Sequence, residues 1–172
     1  MLLPDPTTWQ AGDIGFSHNT GLIASGIRFA QRREGNADTD INHAFALYSY
    51  DTEAADWVVI QAEIAGVTNY RLLSEVAPSG YYRIHVFPEV DADRASFLDF
   101  LDGQISDPYS RLEIASCALD MYLPDKISLR KAGTWICSGL ITGGLLYAGY
   151  KPFITLPDIY SQTPAKLEQA LG

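Results

Sequence analysis

Cysteine and histidine are scarce in this chain of 172 residues, which holds two of the first and three of the second. Two cysteines, Cys117 and Cys137, are too few for a disulfide framework, and neither stands in the paired spacing of a structural zinc site. Reduced thiols are expected, and with three scattered histidines neither a metal nor another cofactor is. Positive charge is also sparse: 12 Lys and Arg stand against 21 Asp and Glu, a formal net charge of -9. That balance repels nucleic-acid phosphates and anionic lipid surfaces, so no nucleic-acid partner is expected. The opening "MLLPDPTTWQAGD" has no basic leader and no long apolar run. The expectation is a soluble cytoplasmic protein without stable membrane insertion, compatible with leaderless export or release by phage lysis. There is no internal repeat, low-complexity tract or linker, and 47% of the residues are hydrophobic, enough to fill one core. A single domain over 1–172 follows.

What the chain does have is a hydrophobic period that changes along its length. "AGDIGFS" (11–17) reads as a turn and a short strand. "TGLIASGIRFAQRR" (20–33) sets Leu22, Ile23, Gly26, Ile27 and Ala30 at helical spacing and ends in basic residues, as helix C-termini favour. After a polar loop, three runs partly alternate apolar and polar residues: "INHAFALYSY" (41–50), "DWVVIQAEI" (56–64) and "GYYRIHVF" (80–87). Sequence neighbours usually pair, so an antiparallel meander of these three is the simplest arrangement. Helical spacing returns in "VDADRASFLDFLDGQI" (90–105), with Asp91 or Asp93 as N-cap, and in "SRLEIASCALDMYL" (110–123). "TWICSGLITGGLLYAGY" (134–150) predicts a further helix stopped by Gly149, and "SQTPAKLEQAL" (161–171) a last one with Thr163 as N-cap and Pro164 in its first turn. Helices at both ends of a strand cluster predict an α+β domain.

The two cysteines differ in their surroundings. Cys117 shares a helical stripe with Ile114, Ala118 and Met121, and reads as a small core hydrophobe. Cys137 stands where the helical pattern begins, after Trp135 and Ile136. There the helix dipole and unpaired backbone N–H groups favour thiolate, and the same N–H groups can stabilise an oxyanion; a plain buried cysteine is the alternative. Glycines at 139, 143 and 144 predict a helix held closely against the sheet. A cysteine nucleophile needs a base. His18 lies among turn formers and reads as a surface loop residue, and His85 as a half-exposed strand residue, which leaves His43 as the best base. An orienter for the imidazole can come from Gln61 or Glu63, which share one face of a neighbouring strand. Arg28, Arg32 and Arg33 read as a solvated helix end that could also meet a substrate carboxylate. Trp57, Tyr70, Tyr81, Tyr82 and Trp135 read as core that could also line a cleft.

In this order the segments resemble the circularly permuted branch of the NlpC/P60 papain-like superfamily, the YiiX/YebB-like group, with lecithin retinol acyltransferase as a more distant relation. The likeness runs through "AGDIGF", "GLIASGIRFAQ", "NHAFALY", "VIQAEIAGV", "DPYSRLEIA", "WICSGLITGGLLYAGY" and "LPDIYSQTPAKLEQAL", nearly the whole chain. It implies a permuted papain-like fold, a small antiparallel sheet packed against a cysteine-bearing helix. It also implies Cys137 as nucleophile, His43 as general base and acid, and a polar third residue on the next strand. The family pattern places that residue at Gln61, where an acid or histidine is frequent; glutamine orients a neutral imidazole but brings no full charge to an imidazolium. Gln61 is favoured by alignment and Glu63 by electrostatics. Tyr109, in the "DPYS" helix opening, is a candidate oxyanion donor.

The activity expected from this resemblance is hydrolysis of an amide bond in a small peptide or cell-wall-type substrate, through an acyl-enzyme. A thioesterase or acyltransferase acting on lipid or thioester substrates, and a catalytically silent binding module that keeps the fold, are the alternatives.

Overall fold

Alternating burial along the strands sets the architecture. The computed structural model describes residues 8–33, 40–108, 136–150 and 163–172. Five strands, β1 (Ile14–Ser17), β2 (His43–Asp51), β3 (Asp56–Glu63), β4 (Gly66–Leu72) and β5 (Tyr82–His85), form one sheet in the order β4-β3-β2-β1-β5. Every pairing in it is antiparallel. Five helices accompany it among the described residues: α1 (Leu22–Arg33), α2 (Leu73–Val76), α3 (Arg94–Gly103), α4 (Cys137–Tyr147) and α5 (Pro164–Leu171). The fold is α+β, as the change of period predicts.

The expected three-strand meander needs correction. The run 80–87 does not pair with 56–64, because β4 lies between them in sequence and occupies that edge. Glu63 opposes Gly66 across a tight turn, and Gly66 takes φ +119, which lets β3 fold straight back. Leu73, Val76 and Ala77 then bury against Phe45, Leu47 and Val59 as the chain crosses that face, and β5 joins the far edge beside β1.

The two faces of the sheet bury different residues. Ile14, Phe16, Ala44, Ala46, Ile60 and Ala62 point to one side, where they meet Phe97 and Leu101 of α3, Leu140, Ile141 and Leu145 of α4, and Leu167 of α5. Phe45, Leu47, Val59 and Ile84 point to the other, against Trp9, Leu73 and Val76. This is the period-2 alternation of a sheet covered on both sides. The close approach expected of the glycine-rich helix is made towards α3: a Cβ at Gly144 would lie 2.8 Å from the Phe97 ring.

Several polar side chains tie these layers together. Asp93 is the N-cap of α3, accepting from Ser96 N–H at 2.9 Å, and Thr163 caps α5 with Pro164 in its first turn, both within expectation. Gly149 follows the end of α4 with φ +87. The buried Asp13 carboxylate accepts from Phe87 N–H and from Arg94, each at 3.0 Å. Glu168 of α5 accepts from Arg83 at 3.0 Å and contacts the half-buried His85 at 3.2 Å, which pins the last helix to β5. The predicted helix at 110–123, and Cys117 with it, lies outside the described residues. No described helix is long and apolar enough to cross a membrane.

Gly15 gives the sheet a testable weak point. It lies beneath the Phe45 ring, and a Cβ there would come within 2.0 Å of the ring edge. Gly15→Ala is expected to lower stability by about 2–3 kcal/mol in urea unfolding, the usual cost of overpacking. Phe45→Leu in the same chain should recover part of that loss, since the ring is what the methyl meets.

Candidate active site

His43 and Cys137 come together because one element ends where another begins. The end of β1 fixes the start of β2: Ser17 opposes His43, and Asn42 N–H donates to Ser17 O at 3.0 Å. Leu47 N–H donates to Asp13 O, on the β1 side, so between His43 and Leu47 the amides of Ala44 and Ala46 face away from β1. The β2–β3 ladder, however, runs only from Asp51↔Asp56 to Ala46↔Ile60. Beyond Ala46 the two strands are no longer paired, and the Ala44 N–H has no ladder partner. It donates instead to the Cys137 sulfur.

The sulfur arrives there on the first residue of α4. Ile136 precedes it in extended backbone, φ -102 and ψ 161, with no capping side chain, and Leu140 N–H to Ile136 O at 2.9 Å is the first helical bond. The amides of the first turn therefore have no intrahelical acceptor. That of Ser138 donates to Sγ. Helix α4 lies on the Ala44–Ala46 side of the sheet, whereas His43 shares the opposite side with Phe45, its ring centroid 6.2 Å away. The thiol meets the imidazole at the open end of β2, and both are buried.

The imidazole is held from two directions. Its Nε2 donates to Gln61 Oε1 at 2.6 Å. The ring is also hydrogen-bonded to Cys137, and Nδ1 is the nitrogen left for it. Gln61 Nε2 in turn donates to Glu63 Oε2 at 3.4 Å, a long bond that keeps the amide oxygen towards the ring. The two candidate orienters thus stand in series. Gln61 touches His43, and Glu63 acts through Gln61 and through its charge.

Burial alone would push the His43 pKa down and the Cys137 pKa up. Their mutual hydrogen bond and opposite charges outweigh burial, with Gln61 and Glu63 helping the histidine and the Ala44 and Ser138 N–H groups helping the cysteine. His43 ends above its ordinary value and Cys137 below its own. Both shifts move the pair towards thiolate and imidazolium.

The pair opens onto a cleft of about 340 Å³. Ala24 and Ile27 of α1, Ile64, Val76 and Pro78 form its apolar walls; Asn42, Glu63, Arg71, Glu75 and Ser79 its polar ones. The His18–Thr20 loop closes one end, so His18 is a cleft residue and not merely a surface one. Its Nδ1 donates to Asp40 O at 2.5 Å, while Asn42 grips the Asn19 backbone through two bonds of 2.8 Å. These contacts are long-range in sequence, which is why turn chemistry alone placed His18 outside. Arg28 is not a free helix end: it donates to Asn19 O at 2.8 Å and braces the same loop.

The described aromatics named from the sequence do not line this cleft. Trp57 and Tyr82 border a separate hollow with Trp9 and Tyr50 at the far end of β2. Tyr109 and Trp135 lie outside the described residues. Among the described residues, no three His, Cys, Asp or Glu side chains gather as metal ligands would. Compared with protein-family models and with curated proteins, the chain matches none significantly.

The mutual shifts of His43 and Cys137 have a pH signature. Cys137 should be alkylated by iodoacetamide with a rising limb below the value of about 8.5 seen for an unperturbed thiol. In His43→Ala the hydrogen bond and positive charge are gone and burial dominates, so the limb should move above that value. Thiolate absorbance across a pH titration checks both.

Proposed function

We propose that the chain is a cysteine hydrolase of permuted papain-like architecture, cleaving an amide bond in a small peptide or cell-wall-type substrate. The observation that carries this reading is the continuous chain of hydrogen bonds from Cys137 through His43 to Gln61, facing an open cleft. The fold supports it: a histidine strand and a cysteine helix occur in the permuted order, with the sulfur at a helix N-terminus.

The thiolate attacks the substrate carbonyl, and the Cys137 N–H, which no helical acceptor engages, donates to the oxyanion that forms. His43, protonated in the ion pair, delivers its proton to the leaving amine as the C–N bond breaks. A water then enters; His43 takes its proton, hydroxide adds to the thioester carbonyl, and the C–S bond breaks to release the acid and restore the thiolate. Gln61 keeps Nε2 as the donor nitrogen throughout, so Nδ1 is the one that exchanges protons. Because Gln61 carries no charge, Glu63 behind it supplies the negative potential that a directly bonded carboxylate would give.

Thioester hydrolysis or acyl transfer is the second reading. The apolar side of the cleft, Ala24, Ile27, Ile64 and Val76, could seat an acyl chain.

A panel of short amides and thioesters tests these readings. Cys137→Ala should abolish turnover and the acyl-enzyme seen by mass spectrometry. Gln61→Ala should lower kcat/KM about 10–100-fold, as losing an orienting partner does, and Glu63→Gln about 2–5-fold. Turnover confined to the thioesters moves the assignment to the second reading. Alkylation of Cys137 no faster than a free thiol at neutral pH, and unaltered in His43→Ala, overturns the enzyme and leaves a binding module.

A further inference from the structure

We propose that Arg71 binds a carboxylate in this cleft, so that the substrate carries a free carboxylate within about two residues of the bond cleaved. This rests on the cysteine-hydrolase reading and narrows its substrate class. Arg71, on β4, is the sole Lys or Arg among the described residues that line the cleft. Glu75 Oε2 forms an exposed i,i+4 ion pair with its Nε at 3.6 Å, longer than a hydrogen bond. Nε is enclosed by protein and makes no hydrogen bond. The side chain is 41% exposed and lines the open cleft.

Both acidic groups of the cleft accept hydrogen bonds from the chain. Glu75 Oε2 accepts the Leu72 N–H at 3.1 Å, closing the start of α2, and Glu63 Oε2 accepts from Gln61. Glu75 thus meets the Arg71 guanidinium only at ion-pair distance, which leaves its planar fork open to a second, hydrogen-bonded carboxylate. A carboxylate matches that fork through two parallel N–H···O bonds.

Its position agrees with a peptide-sized substrate. Arg71 opposes Val59, two residues along β3 from Gln61 and one strand across. At strand spacing the backbone positions of Gln61 and Arg71 are about 8 Å apart, the reach of about two extended residues. Arg28, the other arginine anchored near the cleft, is engaged by Asn19 and Ser25 and does not line it.

The test compares N-bromoacetyl-Gly-Gly, which ends in a carboxylate, with its C-terminal amide as alkylating agents, reading the Cys137 peptide by mass spectrometry. The wild-type chain is expected to react about tenfold faster with the carboxylate form. Arg71→Gln should bring that ratio to about one, and Arg71→Lys should keep part of it. The ratio within each protein is the readout, so a general loss of reactivity cancels. A ratio of about one in the wild type, or one that survives in Arg71→Gln, overturns the proposal while fast alkylation still upholds the hydrolase. Should Cys137 react slowly with both probes, the hydrolase reading fails. Binding of acetyl-Gly-Gly and its amide, followed by NMR titration of the same proteins, then decides for Arg71: an Arg71-dependent preference for the carboxylate supports it, and equal affinities overturn it.

Discussion

The site depends on an interrupted ladder. Two strands that pair from Asp51↔Asp56 to Ala46↔Ile60 part beyond that point, and the amide thus released at Ala44 turns to sulfur. A continuous sheet would have spent that donor on a carbonyl and left no room for a side chain from the helix layer to meet one on the other face. The interruption costs ladder bonds, and the Cys137 sulfur recovers part of them as an acceptor. His43 and Cys137, placed on opposite layers by alternation and helix packing, can meet only at such an end.

Charge separation in a buried place is the second constraint. Neither ion would persist there alone, since burial works against both. Each is the other's chief partner. Two backbone amides stabilise the sulfur and one side-chain amide the ring, so most of the fixed dipoles around the pair come from groups that do not titrate. With Gln61 as the direct partner, the imidazole keeps its orientation without a carboxylate that would hold the proton more tightly. Glu63, one link further out, adds a softer bias.

Rigidity comes from the same layers. Helix α4 is held between the sheet and α3, with Phe97 against Gly144, so the sulfur is presented by a fixed element and not by a loop. On the other side, the His18–Thr20 loop is gripped by Asn42, the residue just before His43, and braced by Arg28. His43 and one wall of the cleft are therefore anchored at consecutive residues, and a shift in one moves the other. That coupling keeps the His43–Cys137 contact in register with the cleft wall.

Local sequence determined the pieces. Hydrophobic period separated strands from helices, Thr163 announced its cap while Asp91 and Asp93 shared another, and a cysteine opening a helix together with a histidine-bearing strand pointed to a pair. These are short-range properties, fixed by side-chain alternation and by the unpaired amides of a helix start. Tertiary structure decided what depends on distant residues: that β4 rather than β5 lies beside β3, that Gln61 touches the ring while Glu63 stands behind it, and that His18 and Arg71 belong to the cleft. Strand order turned on a tight turn at Gly66 and on which face Leu73 and Val76 bury. Gln61 and Glu63 have the same parity, so alternation could not rank them; only the separation of β2 from β3 did.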